Sequence, residues 1–327
     1  MATTYSYSRL TSYHNCQYGF YLHYILGLPS RQNVYGFMGG VTHELLERMQ
    51  VGEINNEEAI EEFNKKMIES EEQEMFFPSP SIKNSYAAAV TDYLRRYVPY
   101  EGAKMEIEKE FKLKFGDVEL LEFIDLLIIR DDKHATVIDH KTSSKYSAED
   151  KKKHGRQLVI YALALEQMGY EIDYIGWSML KYAHVKIGKG RSKQVQRNKI
   201  GTEFMSQIKE KLELAGYVGT ECYDILDYVT TTGDLSKLPD SILDEIQVTP
   251  LMVEYTYNEE TKKDALDFIQ NTVQEIEMKD MFDDESMWQP LDIKKSDFFC
   301  THLCGQRNNC HFYKSHKEST WSYEKLF

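Results

Sequence analysis

The chain has 327 residues, 42% hydrophobic and 28% charged, with a formal charge of −14, enough for one large domain or two modest ones with a sizeable core. No apolar run has the length to cross a bilayer, and residues 1–10 lack the apolar centre of a signal peptide, so a cytoplasmic protein with reduced thiols is expected. The acidic total argues against a protein that simply coats nucleic acid.

The predicted elements run as follows. A helix with an aromatic face covers 5–28 and carries Cys16. A turn-prone link covers 33–40, and helices follow over 41–50 and 56–74. Pro78 and Pro80 break the pattern before a helix over 86–98. The period then changes from helical to alternating. Met105, Ile107, Phe111, Leu113 and Phe115 alternate with Glu106, Glu108, Glu110, Lys112 and Lys114, the signature of a half-buried strand. Gly116-Asp117 marks a hairpin, and strands follow over 118–129 and 135–140. A helix covers 155–168 and a strand 174–182. Helices are expected over 201–215 and 260–278, with a strand over 251–257. Residues 225–247 show no readable period. The reading is a single domain, 1–327, in three parts: a helical region over 1–100, an α/β core over 101–200, and a helical or mixed region over 201–327.

Two strands carry an acid. Asp125 stands inside the apolar strand Phe123-Ile124-Asp125, and Asp139 and Lys141 stand two residues apart at a strand end. Positions i and i+2 share a face, so Asp139 and Lys141 project together and a neighbouring strand brings Asp125 beside them. Two converging carboxylates suit a hard cation such as Mg²⁺ or Mn²⁺. An ammonium beside that cation fits phosphodiester hydrolysis, where positioning and electrostatics dominate. Taken alone, D-x-K also describes an ordinary surface ion pair.

Gln157 and Tyr161 share one helix face at i and i+4. Lys181, Lys186, Lys189, Arg191, Lys193, Arg197 and Lys199 fall in a stretch without acids. That stretch reads either as a track for a DNA backbone or as a solvated loop. Cys16, Cys300, Cys304 and Cys310 suggest metal rather than disulfides, and four thiolates suit an iron–sulfur cluster or zinc. Cys222 has no partner in this pattern. No G-x-x-x-x-G-K-[ST] stretch is present, so any helicase motor is expected on a partner.

Cys16, Gly39 to His43, Ile124-Asp125, Asp139-His140-Lys141 and Gln157 to Tyr161 occur in this order. In this the chain resembles the RecB/AddB-type branch of the PD-(D/E)XK nucleases, including the CRISPR-associated RecB-like exonucleases, over nearly its whole length. The resemblance implies a restriction-endonuclease-like fold and a metal-dependent exonuclease acting on DNA, single-stranded or with free ends, in repair, recombination or CRISPR adaptation; the alternative is a non-catalytic nucleic-acid-binding or assembly subunit that keeps the nuclease fold. It implies metal ligation by His43, Asp125, Asp139 and the backbone carbonyl of His140. It implies that Lys141 positions the nucleophilic water and that Gln157 and Tyr161 order the site and the strand. It favours a [4Fe-4S] cluster on Cys16, Cys300, Cys304 and Cys310, with zinc as the alternative. The sequence departs from the family in two places. Glu122 stands where a glycine is common and is read as solvent-facing, and the gap between Cys300 and Cys304 is one residue longer than usual.

Overall fold

A computed structural model describes residues 4–100, 104–131 and 133–324, with side chains to residue 318. The chain opens with a short strand, β1 (Thr4–Tyr5), then α1 (Tyr7–Asn15), α2 (Gln17–Phe20) and a π-helical turn over Tyr21–Ile25. The single helix expected over 5–28 is therefore interrupted, and the break is at Cys16. Its backbone is extended, and its Sγ accepts the Gly19 N–H at 3.3 Å as the cap of α2.

The link expected over 33–40 is instead the start of α3 (Val34–Gln50). Asn33 caps it by accepting the Gly36 N–H at 2.9 Å, a contact strong enough to start a helix through glycines of low intrinsic propensity. Helix α4 (Asn56–Glu72) follows, with a capping box formed by Asn55 and Glu58. Helix α5 (Pro80–Arg95) begins six residues earlier than expected. Ser79 is its cap, and Pro80 sits at the first position, where a missing N–H costs nothing.

Strands β2 (Lys104–Phe115), β3 (Val118–Ile129) and β4 (His134–Lys141) form an antiparallel meander. Helix α6 (Ala148–Gln167), capped by Ser147, crosses to β5 (Glu171–Ile187), which runs parallel to β4. Strand β6 (Lys193–Gln196) pairs antiparallel with β5. Four short helices follow, α7 (Ile200–Glu203), α8 (Met205–Leu214), α9 (Gly219–Thr232) and α10 (Asp240–Leu243). Two of these, α9 and α10, fill most of the stretch the sequence leaves unassigned. Strand β7 (Ile246–Glu254) returns to β5, and β1 adds to β3 in parallel. Helices α11 (Glu259–Met281) and α12 (His311–Glu324) complete the described chain.

Helices cover both faces of this mixed sheet, the α/β arrangement expected from the sequence. One core joins the sheet to α1, α6 and α11 through Leu10, Leu120, Leu158, Trp177 and Ile269. A second joins α3, α4 and α5 to Leu180 of β5 through Met38, Phe63 and Tyr93. A third, smaller one unites the far ends of β5 and β7 with α7 to α10. Among the described residues, no helix is long and apolar enough to cross a membrane.

Candidate active site

The site lies where the central strands part. The β3–β4 ladder ends at Leu126–Ile138, one step short of Asp125 and Asp139. Ile124 and Leu127 both belong to the core under α6, so the alternation of β3 skips beside Asp125. There the Asp125 carboxylate replaces a strand partner and accepts the His140 N–H at 2.7 Å. That contact holds the carboxylate at the strand end facing β4.

His43 reaches Asp125 from α3, with Nδ1 3.4 Å from Oδ2. Burial alone would lower the His43 pKa, but the hydrogen bond and the charge of Asp125 raise it. Burial would raise Asp125, but His43 and Lys141 hold it below the ordinary carboxylate range. Asp139 is 1% exposed. Burial and the Asp125 charge push its carboxyl upward, against the pull of Lys141, whose Nζ lies 2.7 Å from Asp139 Oδ2. Lys141 itself is raised despite burial, by Asp139 and then Asp125. It therefore stays an ammonium.

Lys141 Nζ also approaches Gln157 Oε1 at 3.4 Å, and Gln157 Nε2 donates to the Tyr161 hydroxyl at 2.6 Å. Asp139, Lys141, Gln157 and Tyr161 thus form one chain of contacts from β4 to α6. The His140 ring is buried on the other side of β4, 6.4 Å from the His43 ring, and burial lowers its pKa to about 4.

Two acids of the site were hidden in the sequence. Glu108 looks like one of the outward charges of alternating β2. Its φ is +46°, and the register of its neighbours places it opposite Asp125. The ligand atoms of His43, Glu108 and Asp125 lie within 4.8 Å of one another. Burial and the Asp125 charge raise the Glu108 pKa. The second is Glu122, expected at the surface and found 6% exposed. It accepts the Tyr7 N–H, tying the start of α1 to the sheet. Burial raises its pKa to about 7, with a smaller push from Asp139.

An imidazole and carboxylates converging at this spacing fit a divalent ion. Ligands about 2.1 Å from an octahedral Mg²⁺ stand about 3 Å from each other. His43, Glu108 and Asp125 hold their ligand atoms within 4.8 Å of one another, a looser version of this arrangement, while Asp139 is drawn toward Lys141.

The basic stretch is not one DNA-facing strip. Arg197 is 1% exposed and pairs with Asp92 at 2.7 Å inside the protein, so it is structural. Lys193 is taken up by Glu203. Lys189, Arg191 and Lys199 are exposed and Lys186 half-buried, on ordered strand, turn and 3-10 backbone. Lys181 lies apart, on β5 over the Tyr86 ring.

Cys16, Cys300, Cys304 and Cys310 line one small cavity between α2, the residue 299–304 turn and α12. No three of their sulfurs lie within 4.8 Å of one another among the described residues, so they do not form the tight ligand group that His43, Glu108 and Asp125 do. Two sit at helix starts. Cys16 caps α2, and Cys310 precedes α12 and accepts the Tyr313 N–H at 3.4 Å. Burial and the neighbouring thiols push Cys300 up to about 11. Cys222 is buried among α8 and α9 residues, in a different core.

A family model described as the PD-(D/E)XK nuclease superfamily matches residues 4–311. A search of curated proteins gives no match.

Proposed function

The chain belongs to the PD-(D/E)XK nuclease superfamily, and on that premise we propose that it is a divalent-metal-dependent deoxyribonuclease that degrades single strands or duplex ends. The observation that carries this reading is the meeting of His43, Glu108 and Asp125 beside the Asp139–Lys141 pair. His43, Asp125, Asp139 and the His140 carbonyl, with Glu108 as a further donor, would hold a divalent ion, which would supply Lewis-acid activation of the scissile phosphoryl group. The imidazole in the set favours Mn²⁺ over Mg²⁺.

The protein's own part is positioning. Lys141, gripped by Asp139 and Gln157, keeps its charge at the reacting phosphate. There it orients the attacking water and offsets the charge that develops on the phosphoryl oxygens. Tyr161 fixes the Gln157 amide, so the ammonium has one resting place. The preference for ends follows from the resemblance to RecB-type enzymes.

The cysteine cavity is assigned to a [4Fe-4S] cluster. The resemblance to RecB-type enzymes supports the cluster, while four cysteines lining one cavity suit either group by ligand type. Cys16, Cys300, Cys304 and Cys310 would hold such a cluster, which would staple α2 to the C-terminal segment and stabilise the folded chain. Anaerobic purification should give a brown protein containing iron and sulfide. A colourless protein holding stoichiometric zinc would refute the assignment.

The nuclease reading is tested with 5′- and 3′-labelled single and double strands, each with Mg²⁺, Mn²⁺ or a chelator. Release of short labelled products that requires the divalent ion is expected. Intact strands under every condition would overturn the reading.

A further inference from the structure

A cavity of about 740 Å³ opens beside the catalytic residues. Its floor is Thr142 and Ser143, which directly follow Lys141, together with Lys181 of β5. One wall is Tyr35 and the first turns of α5, and the other is Phe298 and Phe299, next to Cys300. We infer that this groove is the subsite for the unpaired strand flanking the scissile phosphate, with bases resting on Phe298 and Tyr35 and a backbone phosphate on Lys181. The inference rests on the nuclease reading and names the part of the substrate this groove takes.

Three observations carry it. First, the groove continues from the catalytic strand. Gly39 on α3 places its missing Cβ 3.7 Å from Thr142 Oγ1, so the groove floor touches the same helix turn that leads to His43. The groove thus opens at the residue that follows Lys141 in the chain.

Second, no carboxylate pairs with Lys181 among the described residues. Its ammonium lies 5.7 Å from the Tyr86 ring centroid, burial is the sole cause shifting its pKa, and the shift is downward. A half-buried ammonium with no anion nearby is costly, and an incoming phosphate supplies the missing charge. The other strip lysine described with a firm partner, Lys193, is already neutralised by Glu203.

Third, an apolar side chain is left on show. Phe298, which lines the groove, is 50% exposed, and its ring meets that of His302. A flat ring beside a phosphate hook is a platform for any base, since every base has a π-face. Hydroxyls at Ser85, Thr142 and Ser143 supply neutral donors for sugar and phosphate oxygens. The cavity has room for a short stretch of one strand but not for a double helix.

The test is fluorescence anisotropy with a labelled dT20 strand and a blunt duplex of equal length. It uses the full chain carrying Asp139→Asn so that the strand survives. Phe298→Ala and Lys181→Met are added singly, with Met281→Ala on exposed α11 as the control. Phe298 is half exposed, and methionine keeps the Lys181 stem, so both variants fold, as a thermal melt checks. Stacking on an aromatic is worth about 1–3 kcal/mol per base, so Phe298→Ala should weaken dT20 binding by roughly 5-fold or more. Lys181→Met should weaken it and reduce the salt slope by about one. Met281→Ala should match the parent, and the duplex should bind more weakly and ignore Phe298. Parent-like dT20 affinity in either groove variant, or equal losses for strand and duplex, overturns the inference. The nuclease reading fails separately, when the wild-type chain with Mn²⁺ leaves dT20 uncut.

Discussion

Replacing Glu122 by Gln keeps the shape of a buried side chain and removes its charge. In the wild-type protein, burial raises this carboxyl from 4.5 to about 7. The folded state thus holds the proton over a pH range in which the unfolded chain has released it. The stability linked to this group is fully present below about pH 4.5 and is lost as pH rises through about 7. At roughly 1.4 kcal/mol per pH unit, the wild-type protein carries a penalty of about 3 kcal/mol above pH 7. Glutamine does not titrate, and its Oε1 still accepts the Tyr7 N–H. Its second amide proton lacks an evident acceptor, which adds a pH-independent cost of about 1 kcal/mol. The diagnostic quantity is therefore the difference between the two proteins as a function of pH. Urea unfolding of both, without divalent ions, at pH 5, 6, 7 and 8 should show Glu122→Gln gaining about 2–3 kcal/mol on the wild type across that range. Parallel stability curves would refute the assignment of a buried, titrating Glu122.

Gln157→Ala leaves Lys141 held by Asp139 alone, and should lower kcat/KM for oligonucleotide cleavage by about 10- to 100-fold while the unfolding midpoint stays nearly constant. Arg197→Met leaves Asp92 paired with Arg96 alone. It should cost about 1.5–3 kcal/mol in urea unfolding, with the salt slope of DNA binding unchanged, because the guanidinium faces Asp92 and not solvent. His43, Glu108 and Asp139 all have raised pKa values, and a divalent ion competes with their protons. Activity should therefore fall as pH drops below neutral, and the midpoint of that fall should move to lower pH as Mn²⁺ is raised. A midpoint independent of Mn²⁺ would count against these residues as ligands.

The meander was legible because β2, β3 and β4 alternate or run apolar between clear turns, and Asp139 and Lys141 share a face by simple strand geometry. What escaped was set by tertiary contacts. The start of α3 reads as a link because Gly36, Gly39 and Gly40 lower its propensity, and Asn33 restores it through a cap. Glu108 reads as one more exposed charge, and the β2–β3 register, with a left-handed backbone at this residue, brings it to His43 and Asp125. Glu122 reads as solvent-facing, yet α1 closes over it. Arg197 sits in a basic run, but its partner Asp92 is 105 residues away in the chain. Periodicity records which face a residue takes; it does not record which distant element lies on that face.

The central claim is that Asp125, Asp139 and Lys141 perform metal-dependent phosphodiester hydrolysis. Its most direct test compares the wild-type chain with Asp139→Ala on the same labelled single strand in Mn²⁺, after matching their far-UV spectra. The account predicts that the wild-type protein cuts the strand and that the variant is slower by at least about 10³-fold, having lost both a ligand and the anchor of Lys141. Wild-type turnover in a folded Asp139→Ala protein would contradict it.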